Sequence, residues 1–496
     1  MSKDTGRLAD RIMDDMTIIY IIAPIIIFIF GWTKIIYSIV AFIIFGYFYI
    51  EMKKNLCNAS GNLITRDTIL FWSKIGIVVF LWVYVSGIGG FTFQNSDFWG
   101  RNPIYRDLCD YKWPVIYDLS QQSDYVKNIT GDSTVAFSYY FAWWLAPALI
   151  SKIFMLGEMG RSIVLFIWAI LGVFLVAYNL YALVNKLTLK IITVFIFFSG
   201  LDVVGFYIIK NTIPFMEHIE WWSKNFQYSS NTTLLFWVFN QAIPVWLITV
   251  LLMRLDDNKN TVALSSLAFA YSPWATIGIV PIALYTVFQN KKIKKSITFT
   301  NISIPTIMIV FFGFFYAVSS GSSGKNGFIW ELHPGEEKAV LIRYFMFILL
   351  EALIFFIVMG KKAKKYKFYY VILFELILLP GYQLIQYSFL LRGSIPALFI
   401  LMVYIIMFLN ESDESIKRRK EMLIILLIIG AITPMTEMSR SLNKTANNSN
   451  ESIVQESVYS FGAIKSMDEN RIKTIKDQFF IYNYEDSFFF KFIAKN

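Results

Sequence analysis

Long apolar runs recur along this chain from residue 17 to residue 435, separated by short charged or turn-forming breaks. A helix of about 20 apolar residues is what crosses a bilayer, so each run is read as a span or as part of one. The pattern predicts spans over 17–31, 35–50, 68–88, 161–184, 189–209, 232–253, 297–318, 339–359, 368–387, 395–410 and 421–435, about 11 in all. A twelfth apolar stretch, 261–289, has cytoplasmic-type charge at both ends and a Ser-Pro-Trp break at 272–274, which predicts a hairpin of two short helices. Broken helices need protein or water around them rather than lipid, so this hairpin is expected to be buried in the bundle.

Composition sharpens the class. The chain has 496 residues, of which 56% are apolar and 16% charged; its mean hydropathy is +0.54. Those values predict an all-α polytopic membrane helix bundle rather than a large soluble core. The net charge of +10 calls for no nucleic acid. Its lysines and arginines gather in short breaks at 291–295, 361–367 and 417–420, the way cytoplasmic loops are marked. Lys3, Arg7 and Arg11 place the N-terminus on the same side, and the count of spans puts the tail from 436 outside. The run 17–31 lacks a small-residue cleavage site after it and reads as a retained span. Cys57 and Cys109 fall on opposite sides, so no disulfide is expected between them. The chain then divides into residues 1–66 with two extra helices, a core over 67–435, and a small extracytoplasmic tail over 436–496.

Candidate chemistry collects on the outer side. The first outer loop, 89–160, is too long for an ordinary connection. Its stretch 86–113 packs Asp97, Arg101, Arg106, Asp107 and Asp110 among aromatics. Residues 135–154 are apolar enough to cross, but crossing would put the charged loops that follow on the wrong sides. They are therefore expected to form a juxtamembrane helix in the interface, with Tyr139, Tyr140, Trp143 and Trp144 at headgroup level. The second outer loop, 211–231, brings Glu217 and Glu220 on one expected helical face, beside Trp221 and Trp222. Arg392 occupies a short outer turn over 387–394. A carboxylate near an acceptor hydroxyl, such as Asp97, can take its proton if burial raises the carboxyl toward neutrality, and a guanidinium such as Arg392, Arg101 or Arg106 can hold phosphate oxygens bidentately. Trp221, Trp222, Tyr139 and Tyr140 offer flat faces to a sugar ring. The competing reading is plainer: the acids solvate a loop and the tryptophans anchor it in the interface.

Inside the bilayer, Glu375, Tyr382 and Gln386 share a helical face by spacing, and Glu351 and Asp202 are further buried acids. Each marks either a lined cavity or a structural pair. His218 and His333 are the only histidines, and no spacing joins them into a metal site. Carboxylates leave room for an oxygen-ligated divalent cation, Mg²⁺ or Mn²⁺.

The order of a first core span, a long outer loop with an early Asp, an aromatic juxtamembrane helix and a second core span resembles the GT-C superfamily of polytopic glycosyltransferases. YYFAWWLAPALISKIF followed by GEMGRSIVLFIWAILGVFLV is similar to that superfamily's outer helix and next span, and ALSSLAFAYSPWATIGIVPIAL resembles its broken hairpin. The blocks FQNSDFWGRNPIYRDL, EWWSKNFQYSSNTTLLFWVFNQ and LLRGSIPALFIL resemble a bacterial multi-span branch. The resemblance implies a polyprenyl-phosphate sugar donor, a glycan, lipid or protein acceptor, and inversion at the anomeric carbon. Asp97 would then be the general base, and Arg392 would hold the leaving phosphate. The chain departs from the superfamily in lacking the paired prolines before its tyrosines and in having two extra helices at the front. A lipid or solute transporter, or a polymerase or ligase of lipid-linked glycans, stays open beside this reading.

Overall fold

The computed structural model describes residues 3–56, 65–120, 134–212, 217–289, 293–318, 326–384, 388–447, 460–463, 474–475 and 477–495; Cys57 and Gln386 lie outside them. The described chain is mostly helical. Among the described residues nine helices are long and apolar enough to cross a membrane: Leu8–Trp32, Ile35–Asn55, Arg66–Val85, Glu158–Val184, Leu189–Lys210, Asn231–Arg254, Phe299–Ala317, Glu337–Lys365 and Glu414–Asn447. Four shorter apolar helical stretches, Thr261–Ala270, Pro273–Gln289, Tyr369–Gly381 and Ile395–Leu409, complete the set. The protein is therefore a multi-pass membrane protein built as an α-helical bundle.

Asn231–Arg254 is the central helix, with 94% of its apolar window buried. Its start is fixed by Ser230, whose hydroxyl accepts from the Thr233 N–H at 3.0 Å. Its far end carries Arg254, buried and ion-paired to Asp14 at 2.7 Å. At the 1.5 Å rise of an α-helix these two ends lie roughly 36 Å apart, a full bilayer. Between them the helix kinks at Val238, whose φ of −137° is non-helical. Two side chains account for the kink. Pro244 has no N–H for the Asn240 carbonyl, and the Asn95 amide inserts from the first loop to donate to Phe236 O at 2.8 Å.

Leu189–Lys210 is broken as well, its two helical pieces Leu189–Phe197 and Asp202–Lys210 being separated by a non-helical link at 198–201. The freed carbonyls are taken by the next helix. The Asn231 amide donates to Phe195 O at 2.9 Å and the Thr232 hydroxyl to Ile196 O at 2.8 Å. An interruption at this depth is tolerated because those partners replace the missing ladder bonds.

Three expectations are corrected. The segment 135–154 is not one helix: Thr134–Phe137 is a strand, and the helix runs only over Ala142–Ile153. The strand pairs antiparallel with Ile116–Asp118 and with Phe480–Ile481, a small sheet that pins the tail to the first loop outside the all-α bundle. The last span does not stop at 435, since helix continues over Ile432–Asn447 with Glu437 and Ser441 buried. Finally, the helix carrying Glu375 gives way at Leu379–Gly381 to a strand in which Tyr382 pairs with Phe328, so Glu375 and Tyr382 share no helical face.

The stretch 261–289 is the hairpin its pattern predicts. Thr261–Ser266 and a 3-10 turn over Leu267–Ala270 run one way, and Pro273–Gln289 returns. Its base closes where the Asn258 amide donates to Thr286 O at 2.6 Å.

Candidate functional site

Asp97, Arg101, Tyr139, Tyr140, Trp221 and Arg392 line one cavity of about 760 Å³. Distant parts of the chain meet there: the first loop and its helix Phe98–Asp110, the link between strand and helix at 138–141, the second loop, the central helix at Thr233, Trp237 and Val238, the hairpin at Pro273 and Trp274, Tyr316, the tail, and Leu391 and Arg392, which lie on a short helix Ser388–Gly393 and not in a turn. Asp97 opens its helix, and Arg101, one turn on, reaches back so that Nη2 donates to Asp97 Oδ2 at 2.7 Å. The Asp97 side chain is 42% exposed to the cavity side, while Arg101 is 6% exposed. The buried Arg101 guanidinium lies over the Phe239 ring at 5.4 Å, and its Nη1 meets no acceptor among the described residues.

Arg392 is held from below by a polar relay. Its Nε donates to Gln241 Oε1 at 3.1 Å, and the Ser272 hydroxyl at the hairpin break donates to the same oxygen at 2.8 Å. The break in the hairpin thus supplies a fixed support for a cation at the cavity floor. Tyr139 and Tyr140 line the same cavity with ring centroids 4.2 Å apart. Burial, then Tyr140, pushes the Tyr139 hydroxyl above its ordinary range while Arg101 and Arg392 pull it down, so both guanidinia act on the same volume and Tyr139 remains a donor.

The tail contributes a wall that hydropathy could not announce. Asp477, Gln478 and Phe479 line the cavity, with the Phe479 ring 5.1 Å from Tyr139. They are positioned by the strand pairing of Phe480 with Phe137 and by Asp107, whose Oδ2 accepts from Tyr117 Oη at 2.7 Å and from the Phe461 N–H at 3.0 Å. Burial lifts the Asp107 carboxyl to about 6. Asp110 is a surface partner of Arg161 at 2.7 Å.

The remaining sequence candidates lie elsewhere. Arg106 is half-buried on the helix Phe98–Asp110 and does not line the cavity. Glu217 precedes the short 3-10 helix Ile219–Ser223, so it shares no helical face with Glu220; it is exposed and sits 3.5 Å from Lys210. Glu220 is buried and accepts from Ser229 Oγ at 2.7 Å, Ser230 N at 2.9 Å and Gln227 Nε2 at 3.0 Å. Those bonds shape the segment 227–230 that starts the central helix. Burial, then the charge of Asp202, raises the Glu220 carboxyl to about 8. Trp222 is buried against Gly205, where any Cβ would come within 2.4 Å of its ring, and its Nε1 donates to Glu351 Oε1 at 3.1 Å. Alternation in the tight turn explains the split: Trp221 points out at 52% exposure while Trp222 points in at 1%.

Glu351 and Asp202 meet behind that turn. Asp202 Oδ2 accepts from Ser199 at 2.8 Å and Thr433 at 3.2 Å. Asp202 and Glu351 also hydrogen-bond to each other side chain to side chain. Among those residues no three His, Cys, Asp or Glu side chains are grouped to hold a metal ion. His218 is a hub instead of a ligand: it stacks on Trp221 at 4.6 Å, lies 3.0 Å from Glu437 through Nδ1, and receives Arg440 Nη2 on Nε2 at 3.1 Å.

No family model, curated protein or solved structure matches this chain.

The arrangement itself is chemically legible. Two carboxylates, Asp97 and Asp477, two guanidinia, Arg101 and Arg392, and a wall of flat aromatic faces surround a volume suited to a sugar bearing a phosphate. Gln241, Ser272, Trp274 and Asp477 were not marked by the sequence pattern as site residues. The Ser-Pro-Trp break is visible in the sequence as the tip of a hairpin, whereas its meeting with Arg392 on Gln241 Oε1 is a long-range contact.

Proposed function

We propose that this cavity transfers a sugar from a polyprenyl-phosphate donor to a hydroxyl-bearing acceptor, with inversion at the anomeric carbon. The observation that carries the reading is the meeting of Asp97, Arg101 and Arg392 on one cavity from positions almost 300 residues apart in sequence. In this reading Arg392, braced by Gln241, holds the phosphate and Tyr139 donates to it. Trp274 and Trp221 take the apolar faces of the sugar. The acceptor oxygen attacks the anomeric carbon from the face opposite the phosphate, Asp97 takes the acceptor proton on the oxygen that Arg101 leaves open, and the carbon–oxygen bond to the phosphate breaks. The electron pair leaves on the phosphate, where a fixed guanidinium stabilises it without reorganisation. The resemblance to the GT-C superfamily, the eleven-span layout and an extracytoplasmic face for the cavity belong to the same proposal.

The test is binding of polyprenyl-phosphate sugars to the purified chain. Saturable binding that weakens in Arg392→Ala and survives in Asp97→Asn is expected. Absence of binding to every lipid-linked sugar would remove the proposal.

Transport is the second reading, favoured by the interrupted helix at 198–201 and the buried Asp202 and Glu351 beside it. Under the transfer reading, Glu351→Gln leaves sugar transfer in place; under transport it removes the activity.

A further inference from the structure

A second hollow of about 560 Å³ adjoins the cavity and shares His218, Trp221 and Trp237 with it. The first loop threads between the two: Asn95 and Ser96 face the second hollow, and Asp97 faces the first. A molecule lying in the second hollow therefore ends one residue from the proposed base.

The chemistry of its walls is cationic and aromatic. Lys210 sits over the Phe206 ring at 4.9 Å, Arg440 over Trp237 at 5.9 Å and Lys444 over Phe93 at 4.5 Å. Two of these cations have carboxylate partners, Lys210 with Glu217 at 3.5 Å and Arg440 with Glu437. Lys444 has none among the described residues, which leaves an excess positive charge facing the hollow. The hollow is also built to last. The Phe93 N–H donates to Thr445 Oγ1 at 2.9 Å and the Ser441 hydroxyl to Val85 O at 2.6 Å, fixing the lysine-bearing helix to the loop.

Its level in the bundle selects the source of the anion. Lys210 is the last residue of the apolar helix Leu189–Lys210, and Tyr207, Ile208 and Ile209 just before it are exposed at 54%, 54% and 42%. Apolar side chains facing lipid, followed at once by lysine, mark the depth of phosphate headgroups. We infer that this hollow is the second substrate site of the proposed transfer and takes a lipid-borne phosphate compound, its phosphate between Lys210 and Lys444 and its hydroxyl-bearing end against the His218–Trp221–Trp237 wall. The inference rests on the transfer reading for its role and on the lysines for its ligand class.

Native mass spectrometry of the full chain in detergent, titrated with phosphatidic acid, phosphatidylcholine of the same chains, and inorganic phosphate, reads the site directly. The wild type should hold one phosphatidic acid in preference to phosphatidylcholine. Lys210→Ala/Lys444→Ala should weaken that binding by at least about tenfold, two surface-level lysines each contributing several-fold. Both lysines are solvent-facing, and an unchanged melting temperature confirms the variant is folded. Equal phosphatidic acid binding by wild type and double variant would overturn the inference. So would displacement of the lipid by inorganic phosphate at equal concentration, which would make this a site for a free anion. Binding of a polyprenyl-phosphate sugar is measured in parallel and should depend on Arg392 and not on the lysines. Donor binding without lysine-dependent lipid binding removes this inference alone; lysine-dependent lipid binding without donor binding removes the transfer reading and with it the substrate role.

Discussion

Asp107→Asn isolates the energetics of the joint between the first loop and the tail. Asp107 is fully buried, and its Oδ2 accepts from Tyr117 and from the Phe461 backbone. An asparagine can place its carbonyl oxygen at that position and keep the bonds from Tyr117 and Phe461, its amide taking the place of Oδ1. What the substitution removes is the titration. Burial raises the folded-state carboxyl from 3.8 to about 6. Below the unfolded value both states are protonated and the group is silent. Between the two values the unfolded chain gives up its proton and the folded chain keeps it, so stability falls as pH rises, and the loss is complete above the folded value. A shift of about two units at about 1.4 kcal/mol each comes to roughly 3 kcal/mol. Unfolding entropy for a chain of this length is about 1 kcal/mol/K by per-residue scaling, so the gap corresponds to about 3 °C in melting temperature. Tryptophan-monitored melting from about pH 4 to about pH 7.5 should show the wild type falling away from the Asp107→Asn variant by that amount, the two coinciding at the acid end. Parallel curves across the range would refute the argument. So would a variant that melts lower at every pH, which would show that the bonds to Tyr117 and Phe461 need a carboxylate.

Three further substitutions probe how the bundle sets the site. Gly278→Ala would place a methyl 1.9 Å from the Gly393 carbonyl, so the hairpin's returning helix must move away from the short helix Ser388–Gly393 that carries Arg392; donor binding should drop by more than about tenfold, and unchanged binding would show that this packing does not position the arginine. Trp221→Ala and Trp222→Ala should separate cleanly in paired melting and binding assays. The exposed Trp221 is expected to cost ligand binding with little change in stability, whereas the buried Trp222 should cost about 3–5 kcal/mol of stability; the same pattern for both would contradict the inward and outward assignment.

How much of this was legible in the sequence varies with the range of the interaction that decides it. Apolar runs are local, so the helices and the break at Ser272–Trp274 could be read from spacing, and Asp97 and Arg392 stood out as charges beside apolar segments. The partner that fixes Arg392, Gln241, lies inside an apolar helix where one amide changes the hydropathy little. The strand pairing of Phe137 with Phe480 joins residues more than 340 positions apart through two- to four-residue strands, too short to show alternation. Consequently the tail's share of the cavity, Asp477 to Phe479, was invisible until those strands met. The separation of Glu217 from Glu220 has a local cause of another kind: their spacing of three fits an α-helical face, whereas the segment forms a 3-10 turn that starts only at Ile219.

Transfer activity of Asp97→Asn tests the central claim most directly. Membranes bearing the wild type, and therefore its natural acceptor, are supplied with a labelled polyprenyl-phosphate sugar, and label appearing on any other molecule is followed beside donor binding and melting temperature. The account predicts that Asp97→Asn binds donor and melts like the wild type yet transfers at less than about one part in a hundred of its rate, the loss expected when a general base is removed. Transfer by Asp97→Asn at a near-normal rate would contradict it and take the base away from Asp97.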